Sequence, residues 1–432
     1  MSQILRCGQK VTTESSRLEC VPLEFLGGGG QGEVYRADLG GKQFALKWYL
    51  PASATAQQRA SLEVLIRKGA PTGRFLWPLE LASAPGIAGF GYVMPLREPR
   101  FHGVAELMKR RIDPSFRALA FAGFELAHSF LHLHSQGLCY RDISFGNIFL
   151  DPATGEILIC DNDNVAVDGE KSGGILGTPR FMAPEVVRGD SLPSTQTDLF
   201  SLAVLLFYLF MVHHPLEGRR ELAIHSFDLP AMTRLYGTQP LFVFDPDDRS
   251  NEAVPSYHDN ALVLWPIYPR FLRDLFTRAF TEGLRDPAHG RVREGEWRAA
   301  MVRLRDSVFY CGRCGAENFY DAGSTCWACR SQINLPYRLR VGRSIVMLNH
   351  DTQLFPHHID EQKANDFSHS VAEVARHPQR PEIWGLRNLS ERRWSFSKGG
   401  DPRPVEVAPG QTVTLEGGVH INFGKLEGEV RA

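Results

Sequence analysis

The distribution of hydrophobic and polar positions divides the chain into three regions. Up to about residue 308, strand-like runs alternate with long apolar helical patterns, which predicts a mixed helix-and-strand domain. Residues 309–335 are rich in turns and contain two closely spaced pairs of cysteines. From about residue 336, brief apolar runs are broken by Gly, Pro, Asn and Asp, a pattern that predicts an all-β module.

One apolar run stands out by its length. Residues 199–212 read LFSLAVLLFYLFMV, but a helix that spans a bilayer needs ~20 residues. We therefore interpret this run as a helix buried in a protein core. The first ten residues, MSQILRCGQK, do not resemble a signal peptide, because they lack its apolar stretch.

The composition narrows the class of protein. The chain has 432 residues, enough for two or three domains, and its 43% hydrophobic and 22% charged residues are ordinary for globular proteins. A formal net charge of -1 without long charged runs argues against nucleic acid or a membrane as the main partner. Four of the eight cysteines are clustered and four are scattered, which favours a reducing cytoplasm over a disulfide framework.

A glycine-rich stretch lies between two strand-like segments near the N-terminus. Gly27, Gly29 and Gly32, followed by Val34, form the pattern G-x-G-x-x-G-x-V. Glycine is needed where backbone N–H groups approach phosphate oxygens closely. A polyglycine hairpin without a ligand would have the same sequence, so this pattern alone leaves both interpretations open.

The next strand carries a lysine among apolar neighbours. A buried ammonium group is costly unless it meets an anion, so Lys47 in FALK predicts a phosphate nearby. Glu63, on the helical stretch QQRASLEVLIRKG (57–69), is the predicted carboxylate partner that holds Lys47 in place.

Further along, polar residues that could take part in catalysis follow apolar runs. The stretch LCYRDISFGNIFLD (138–151) contains Asp142 and Asn147, and Asp161 ends the next strand. A base, an amide and a carboxylate that converge near a glycine-rich loop and a lysine can form a phosphoryl-transfer site.

These motifs, followed by GTPRFMAPE (177–185) and the helical run from residue 197, resemble the eukaryotic-like protein kinase family over about residues 10–308. The resemblance implies an α+β, bilobal kinase fold, with an N-lobe at 1–95 and a C-lobe at 96–308. It also implies ATP and Mg²⁺ (or Mn²⁺) as cofactors and transfer of the γ-phosphate to Ser or Thr of protein substrates.

The resemblance assigns a role to each matching residue. Asp142 is the expected catalytic base, Asn147 and Asp161 the Mg²⁺ ligands, and Lys47, braced by Glu63, the ligand of the α- and β-phosphates. Around the nucleotide it places the three loop glycines, the strand valine, the gatekeeper and the hinge: Gly27, Gly29, Gly32, Val34, Met94 and Leu96.

Other positions have implied supporting roles. Glu185 is expected to pair with Arg291, and Asp198 to hold the backbone of the catalytic loop. Thr178 has two open interpretations: a phosphorylation site with Arg141 as its partner, or a hydroxyl that orients Asp142.

Three departures from the family pattern concern activity. Tyr140 replaces the histidine before Arg141, and Ser144 replaces a lysine that would stabilise the transferred phosphate. The usual Asp-Phe-Gly is Asp-Asn-Asp here. A buried amide at Asn162 must be hydrogen-bonded, so we expect the hydrophobic toggle of the family to be lost. Asp163 could add a carboxylate near the cations or be a satisfied turn residue.

Two alternatives to an active kinase follow from these departures. One is a nucleotide-binding pseudokinase that serves as a scaffold, and the other is an adapter in which the C-terminal modules do the work. Arg180 is the residue that we consider as a substitute cation for the missing lysine.

The cysteine cluster predicts a zinc ribbon at 309–335. Two C-x2-C pairs can complete a tetrahedral site with four thiolates and no open position, which indicates structural Zn²⁺; the pairs are Cys311, Cys314, Cys326 and Cys329. The alternative, redox-active pairs, lacks the βαβ setting of thioredoxin-like motifs.

Residues 336–432 resemble a forkhead-associated (FHA) β-sandwich. Gly342 and Arg343 match the family's opening motif, and Asn388 lies near its later asparagine. The serine and histidine that this family uses for phosphothreonine are not evident at LFPHHID (354–360), so a degenerate domain that serves docking or dimerisation is the alternative.

The stretches YRDISFGNIF, CDNDNV and LFVFDPDDRSN together resemble a bacterial kinase group associated with tellurite-resistance-type gene clusters. That resemblance implies a von Willebrand factor A-domain protein and a PP2C-type phosphatase as partners.

Overall fold

The computed structural model describes residues 3–169, 177–399 and 401–432. The chain divides into two compact units. The first comprises 1–114, 125–258 and 277–295, and the second comprises 115–124, 259–276 and 296–432. The second unit therefore includes helical residues upstream of the predicted boundary near residue 308.

The N-terminal part of the first unit is a closed antiparallel barrel with the strand order β1-β2-β3-β4-β6-β5. Its strands are β1 (Val11–Thr13), β2 (Glu19–Gly28), β3 (Gly32–Leu39), β4 (Lys42–Tyr49), β5 (Glu80–Ser83) and β6 (Gly91–Met94). Alternate residues of the central strands fill the barrel, among them Tyr35, Leu46 and Trp48. Strand β1 closes the barrel because it pairs with both β2 and β5.

Helix α1 (Ala56–Lys68) lies between β4 and β5 in the chain. It begins after Thr55, whose hydroxyl accepts a hydrogen bond from the backbone N–H of Gln58, and it ends at Gly69 with a positive φ of 74°. Its buried residues, Leu62 and Leu65, face the protein.

Short strands and helices make up the rest of the kinase-like region. The strands are β7 (His102–Gly103), β8 (Leu138–Cys139), β9 (Ile148–Leu150), β10 (Ile157–Ile159) and β11 (Ala166–Val167). The helices are α2 (Val104–Met108), α3 (Phe116–Ser135), α4 (Pro184–Val187), α5 (Thr195–Met211), α6 (Arg219–Leu222), α7 (Leu229–Met232), α8 (Asp259–Leu264), α9 (Arg270–Phe280), α10 (Glu282–Arg285) and α11 (Glu294–Asp306).

The apolar run 199–212 forms most of helix α5, and the helix is buried from Thr197 onward, which confirms the predicted core helix. Ser194 and Thr197 cap its start reciprocally. Among the residues that the structure describes, no helix has both the length and the apolar character needed to cross a membrane.

Three ion pairs, centred on Arg291 and His134, join distant segments of the first unit. Arg291 donates from Nη2 to both carboxylate oxygens of Glu185, at 2.7 and 2.9 Å, as predicted. His134 on α3 lies between Asp198 on α5, at 3.2 Å from Nε2 to Oδ2, and Glu294, which bonds to Nδ1.

The second unit contains the cysteine module and a β-sandwich. In the module, β12 (Val308–Tyr310) pairs with β13 (Glu317–Phe319). The sandwich contains one short helix, α12 (Pro356–Ile359), and the strands β14 (Arg338–Val341), β15 (Ser344–Met347), β16 (Gln353–Leu354), β17 (Ala372–His377), β18 (Arg380–Asn388), β19 (Trp394–Lys398), β20 (Asp401–Val407), β21 (Thr412–Thr414), β22 (Val419–Asn422) and β23 (Glu427–Arg431).

These strands form two sheets, ordered β15-β14-β23-β22-β19-β20 and β16-β17-β18-β21. Both sheets contribute to one hydrophobic core, for example Leu339 and Ile421 from the first and Leu386 and Val413 from the second. The all-β module predicted from residue 336 is confirmed as a two-sheet sandwich.

The His134 pair predicts a dependence of stability on pH. Burial alone would lower the pKa of His134, but the hydrogen bonds to Asp198 and Glu294 raise it to about 9. In the unfolded chain the pKa is about 6.5, so the protonated histidine contributes about 3 kcal/mol at most below that pH. This contribution is lost as the pH rises through about 9.

We therefore expect the melting temperature to fall between pH 7 and 9.5, and to fall less in a His134→Gln variant, which should already be less stable at pH 7. Thermal unfolding followed by circular dichroism at several pH values measures both. Parallel pH profiles for the two proteins would contradict this assignment.

Candidate active site

Lys47 forms the centre of a buried charged cluster. Its position on β4, opposite Val34 on β3 and Tyr92 on β6, points the side chain into the protein, where it is 5% exposed. Its Nζ lies 3.0 Å from Asp161 Oδ1 and 3.0 Å from Asp163 Oδ1. Burial alone would lower the pKa of Lys47, but these two carboxylates outweigh burial and raise it. The ammonium group is therefore charged and paired.

The structure corrects the predicted partner of Lys47. Glu63 does not bond to it: its side chain is 51% exposed and pairs with Arg59, one turn earlier on α1, at 3.3 Å. The reason is the phase of the helix, because the buried face of α1 carries Leu62 and Leu65 and leaves Glu63 outside.

Helix α1 reaches the cluster through Gln58 instead. Its amide Nε2 donates to the hydroxyl of Tyr49 at 3.1 Å and to the backbone carbonyl of Asp163 at 3.1 Å. The Tyr49 hydroxyl in turn donates to Asp163 Oδ2. Burial alone would raise the pKa of Asp163, but Lys47 and Tyr49 hold the pKa of this carboxyl below its usual value.

The loop between β8 and β9 presents Asp142. Thr178 donates its hydroxyl proton to Asp142 Oδ1 at 2.9 Å. Asn147 donates from Nδ2 to Asp142 Oδ2 at 3.2 Å and to its backbone carbonyl at 2.8 Å. Both oxygens of the carboxylate are thus oriented. Of the two interpretations of Thr178, the structure shows the contact that the orienting hydroxyl requires.

The backbone of this loop is held from α5, as predicted. The carboxylate of Asp198 accepts hydrogen bonds from the backbone N–H of Tyr140 and, at 3.1 Å, from that of Arg141. Tyr140 is fully buried, packs edge-on against Phe130 and donates its hydroxyl to the carbonyl of Cys160. The tyrosine that replaces the family's histidine therefore links the loop to the strand that ends before Asp161.

Asp161 and Asn162 take up an unusual local conformation. Asp161 has a φ of 53°, in the left-handed region, and its side chain remains 43% exposed. A short 3-10 turn, Asn162–Asn164, follows. The buried Asn162 amide donates to the carbonyls of Leu76 at 2.8 Å and Ile159 at 3.0 Å. The expected hydrogen bonding is therefore met at the amide nitrogen, whereas the buried Oδ1 of Asn162 has no hydrogen-bond partner among the described residues.

The glycine-rich turn and the predicted adenine pocket lie on the barrel. Gly32 is required there, because an added Cβ would lie 2.4 Å from the carbonyl oxygen of Trp48. Val34, Met94 and Leu96 belong to one hydrophobic cluster, together with Ala45 on β4. Gly27, on β2, pairs directly with Val34 in the strand register.

The residues present fit a nucleotide with a divalent cation. A charged lysine, an apolar cluster beside it and a partly exposed carboxylate are the groups that phosphates, a base and Mg²⁺ would require. Arg180, the considered substitute for the missing lysine, is occupied elsewhere: its Nη2 donates to Glu217 at 3.3 Å and its Nε to Tyr236 at 3.3 Å.

The four clustered cysteines converge in the second unit. Cys311 Sγ lies 3.7 Å from Cys329 Sγ, and Cys314 Sγ lies 3.7 Å from Cys326 Sγ. Zinc–sulfur bonds of about 2.3 Å place neighbouring corners of a tetrahedron about 3.8 Å apart. All four sulfurs lie within 4.8 Å of one another, so the donor set and its spacing fit one tetrahedral ion.

Sequence reasoning missed Tyr49, Gln58 and the pairing of Asp163 with Lys47. One signal was available, since Tyr49 lies two residues after Lys47 and therefore on the same face of the strand. A second signal was the spacing of Gln58, Leu62 and Leu65 at i, i+4 and i+7, which places Gln58 on the apolar face of α1 and Glu63 off it.

Comparison with known proteins finds similarity to protein kinases. The family model described as "Protein kinase domain" matches residues 100–260. The DNA damage-responsive serine/threonine-protein kinase RqkA of Deinococcus radiodurans is 31% identical over 212 residues, which is 47% of this chain and 31% of that protein. Ribosomal protein S6 kinase alpha-4 of Homo sapiens is 27% identical over 232 residues, 49% of this chain and 28% of that protein.

The chain thus spans less than a third of the length of these relatives. The matched segment contains the Asp142 loop, Asp161, Thr178 and Asp198. We conclude that residues 100–260 are similar to a protein kinase domain, and that this part of the chain resembles serine/threonine kinases of bacteria and eukaryotes.

Proposed function

We propose that the chain is an ATP-dependent serine/threonine protein kinase with Asp142 as its catalytic base. The observation that carries the proposal is the orientation of Asp142, because Thr178 and Asn147 fix its two oxygens. Asp198 holds the backbone N–H groups of the two preceding residues of the loop. A carboxylate held in this way can accept the proton of a substrate hydroxyl as the oxygen attacks phosphorus.

Other residues have binding roles in this proposal. Asn147 and Asp161 would hold Mg²⁺, which supplies charge neutralisation at the phosphates. Lys47 would bind the α- and β-phosphates, Gly27, Gly29 and Gly32 would cover them with backbone N–H groups, and the apolar cluster with Val34, Met94 and Leu96 would receive the base. Asp161 is exposed enough to turn from Lys47 toward a cation.

We also propose that the cysteine cluster holds structural Zn²⁺. The two turns have the same hydrogen-bond pattern: Cys311 bonds with Ala316 and Gly315, and Cys326 bonds in the same way with Ser331 and Arg330. Aromatic contacts of Phe319 with Phe116 and Tyr268 pack this module within the second unit.

The sandwich is proposed to be an FHA-like docking module. Asn388 is fully buried, and its side chain bonds with Arg392, Val407 and Ser390, so it stabilises a turn. This supports docking over phosphopeptide binding through Asn388. The partners to test first are a von Willebrand factor A-domain protein and a PP2C-type phosphatase, as in the tellurite-resistance-associated group that the sequence resembles.

Substitution of Asp142 tests the proposed activity. We expect Asp142→Asn to reduce transfer of γ-³²P to a generic acceptor protein by about 10²- to 10⁴-fold, the usual contribution of a general base. The matched control is Asp190→Asn, an exposed aspartate that pairs with Arg188, and it should retain wild-type activity. Equal signal from Asp142→Asn and the wild type would reject the kinase and leave the pseudokinase scaffold.

Metal analysis tests the zinc site. We expect about one zinc ion per chain by mass spectrometry of the purified protein, and loss of that zinc in Cys314→Ser, since a closed site needs all four thiolates. Cys7→Ser, which changes an exposed cysteine outside the cluster, should keep the zinc. A metal-free wild-type protein would contradict the proposal.

A further inference from the structure

Asp163 is the most completely buried partner of Lys47. Its side chain is 0% exposed, and Lys47 Nζ lies 3.0 Å from Oδ1 and 2.9 Å from Oδ2. Its Oδ2 also accepts a hydrogen bond from Tyr49. Both carboxylate oxygens of Asp163 accept hydrogen bonds from protein donors and are shielded from water. Asp163 is therefore poorly placed to coordinate a hydrated cation. This argues against the interpretation in which Asp163 is an additional carboxylate ligand of the cations.

The other carboxylate on Lys47 has a different environment. Asp161 is 43% exposed and makes one contact with the ammonium group, from Oδ1 at 3.0 Å. If Asp161 turns toward Mg²⁺, as proposed above, its hold on Lys47 weakens. Asp163 would then be the carboxylate that keeps the buried ammonium group neutralised and in place.

Helix α1 does not provide such a carboxylate among the described residues around Lys47. Glu63 is 51% exposed and bonds to Arg59. The contact of α1 with the cluster is the neutral amide of Gln58, which donates to Tyr49 and to the carbonyl of Asp163. The counter-charge of Lys47 thus comes from the segment that also carries Asp161.

We propose that Asp163 is the positioning residue that fixes Lys47 for the phosphates of ATP. This proposal rests on the proposed kinase function. The proposal has a regulatory consequence. The ion pair joins β4 to the segment after β10, so neither of its charges lies on α1. Activation therefore does not require α1 to move inward to complete this ion pair.

The first experiment compares Asp163→Asn with Glu63→Gln in the full chain. The readout is the Kd of a fluorescent ATP analogue with Mg²⁺ and no acceptor, together with KM for ATP and kcat. Asp163→Asn should weaken nucleotide binding by about 10- to 100-fold, the range for losing a charge-assisted hydrogen bond. Glu63→Gln should stay within about 2-fold, since an exposed ion pair contributes little.

A double variant separates positioning from general structural support. Asp163→Asn added to Lys47→Met should weaken binding no further than Lys47→Met alone, because Asp163 acts through Lys47. Additive losses would indicate a structural role and overturn the proposal, as would equal effects of Asp163→Asn and Glu63→Gln, or an unchanged Kd in a folded Asp163→Asn protein.

Tyr49→Phe covers the case in which Asp163→Asn does not fold. It removes the hydrogen bond to Asp163 and keeps the ion pair, so we expect a weaker loss of nucleotide binding, again abolished in the Lys47→Met background. An unchanged Kd in Tyr49→Phe would then overturn the proposal. A wild-type protein that binds the nucleotide without transferring phosphate would refute the kinase function alone, because the binding readout still decides the role of Asp163.

Discussion

A buried ammonium group must be neutralised, and in this chain the site is organised around the neutralisation of Lys47. The lysine lies on a central barrel strand, and its two carboxylate partners, Asp161 and Asp163, lie two residues apart at the end of another sheet. These two ion pairs of Lys47 therefore connect the barrel to the segment that carries the proposed metal ligand. Tyr49 and Gln58 complete the hydrogen bonds that such a buried charge requires.

The same constraint recurs at the catalytic loop. Asp198 is buried in α5, yet it accepts backbone hydrogen bonds from Tyr140 and Arg141 and pairs with His134. Satisfying this one carboxylate fixes the loop that presents Asp142. The two polar centres set the positions of base and lysine, and the bond from Tyr140 to the carbonyl of Cys160 connects them.

The departures from the family pattern form a consistent set in this geometry. The side chain of Asn162 donates hydrogen bonds to two backbone carbonyls. The phenylalanine that occupies this position in the family pattern, and the hydrophobic contacts that it makes, are therefore absent. Asp163 supplies the carboxylate that Glu63 does not. Asn162 and Asp163 both bond the segment after β10 to the rest of the first unit.

The sequence by itself determined the order of motifs, and with it the similarity to protein kinases, the buried helix α5, the cysteine cluster and the β-sandwich. These depend on local spacing and on hydrophobic periodicity, which are written in the chain. The Glu185–Arg291 pair and the support from Asp198 were also expected, because the resemblance to the kinase family implied them.

The tertiary structure alone decided that Asp161 and Asp163 meet Lys47, because the 3-10 turn after β10 carries Asp163 against a strand more than 100 residues earlier in the chain. It also decided that the second unit includes residues 115–124 and 259–276, since packing between distant segments has no signature in local sequence.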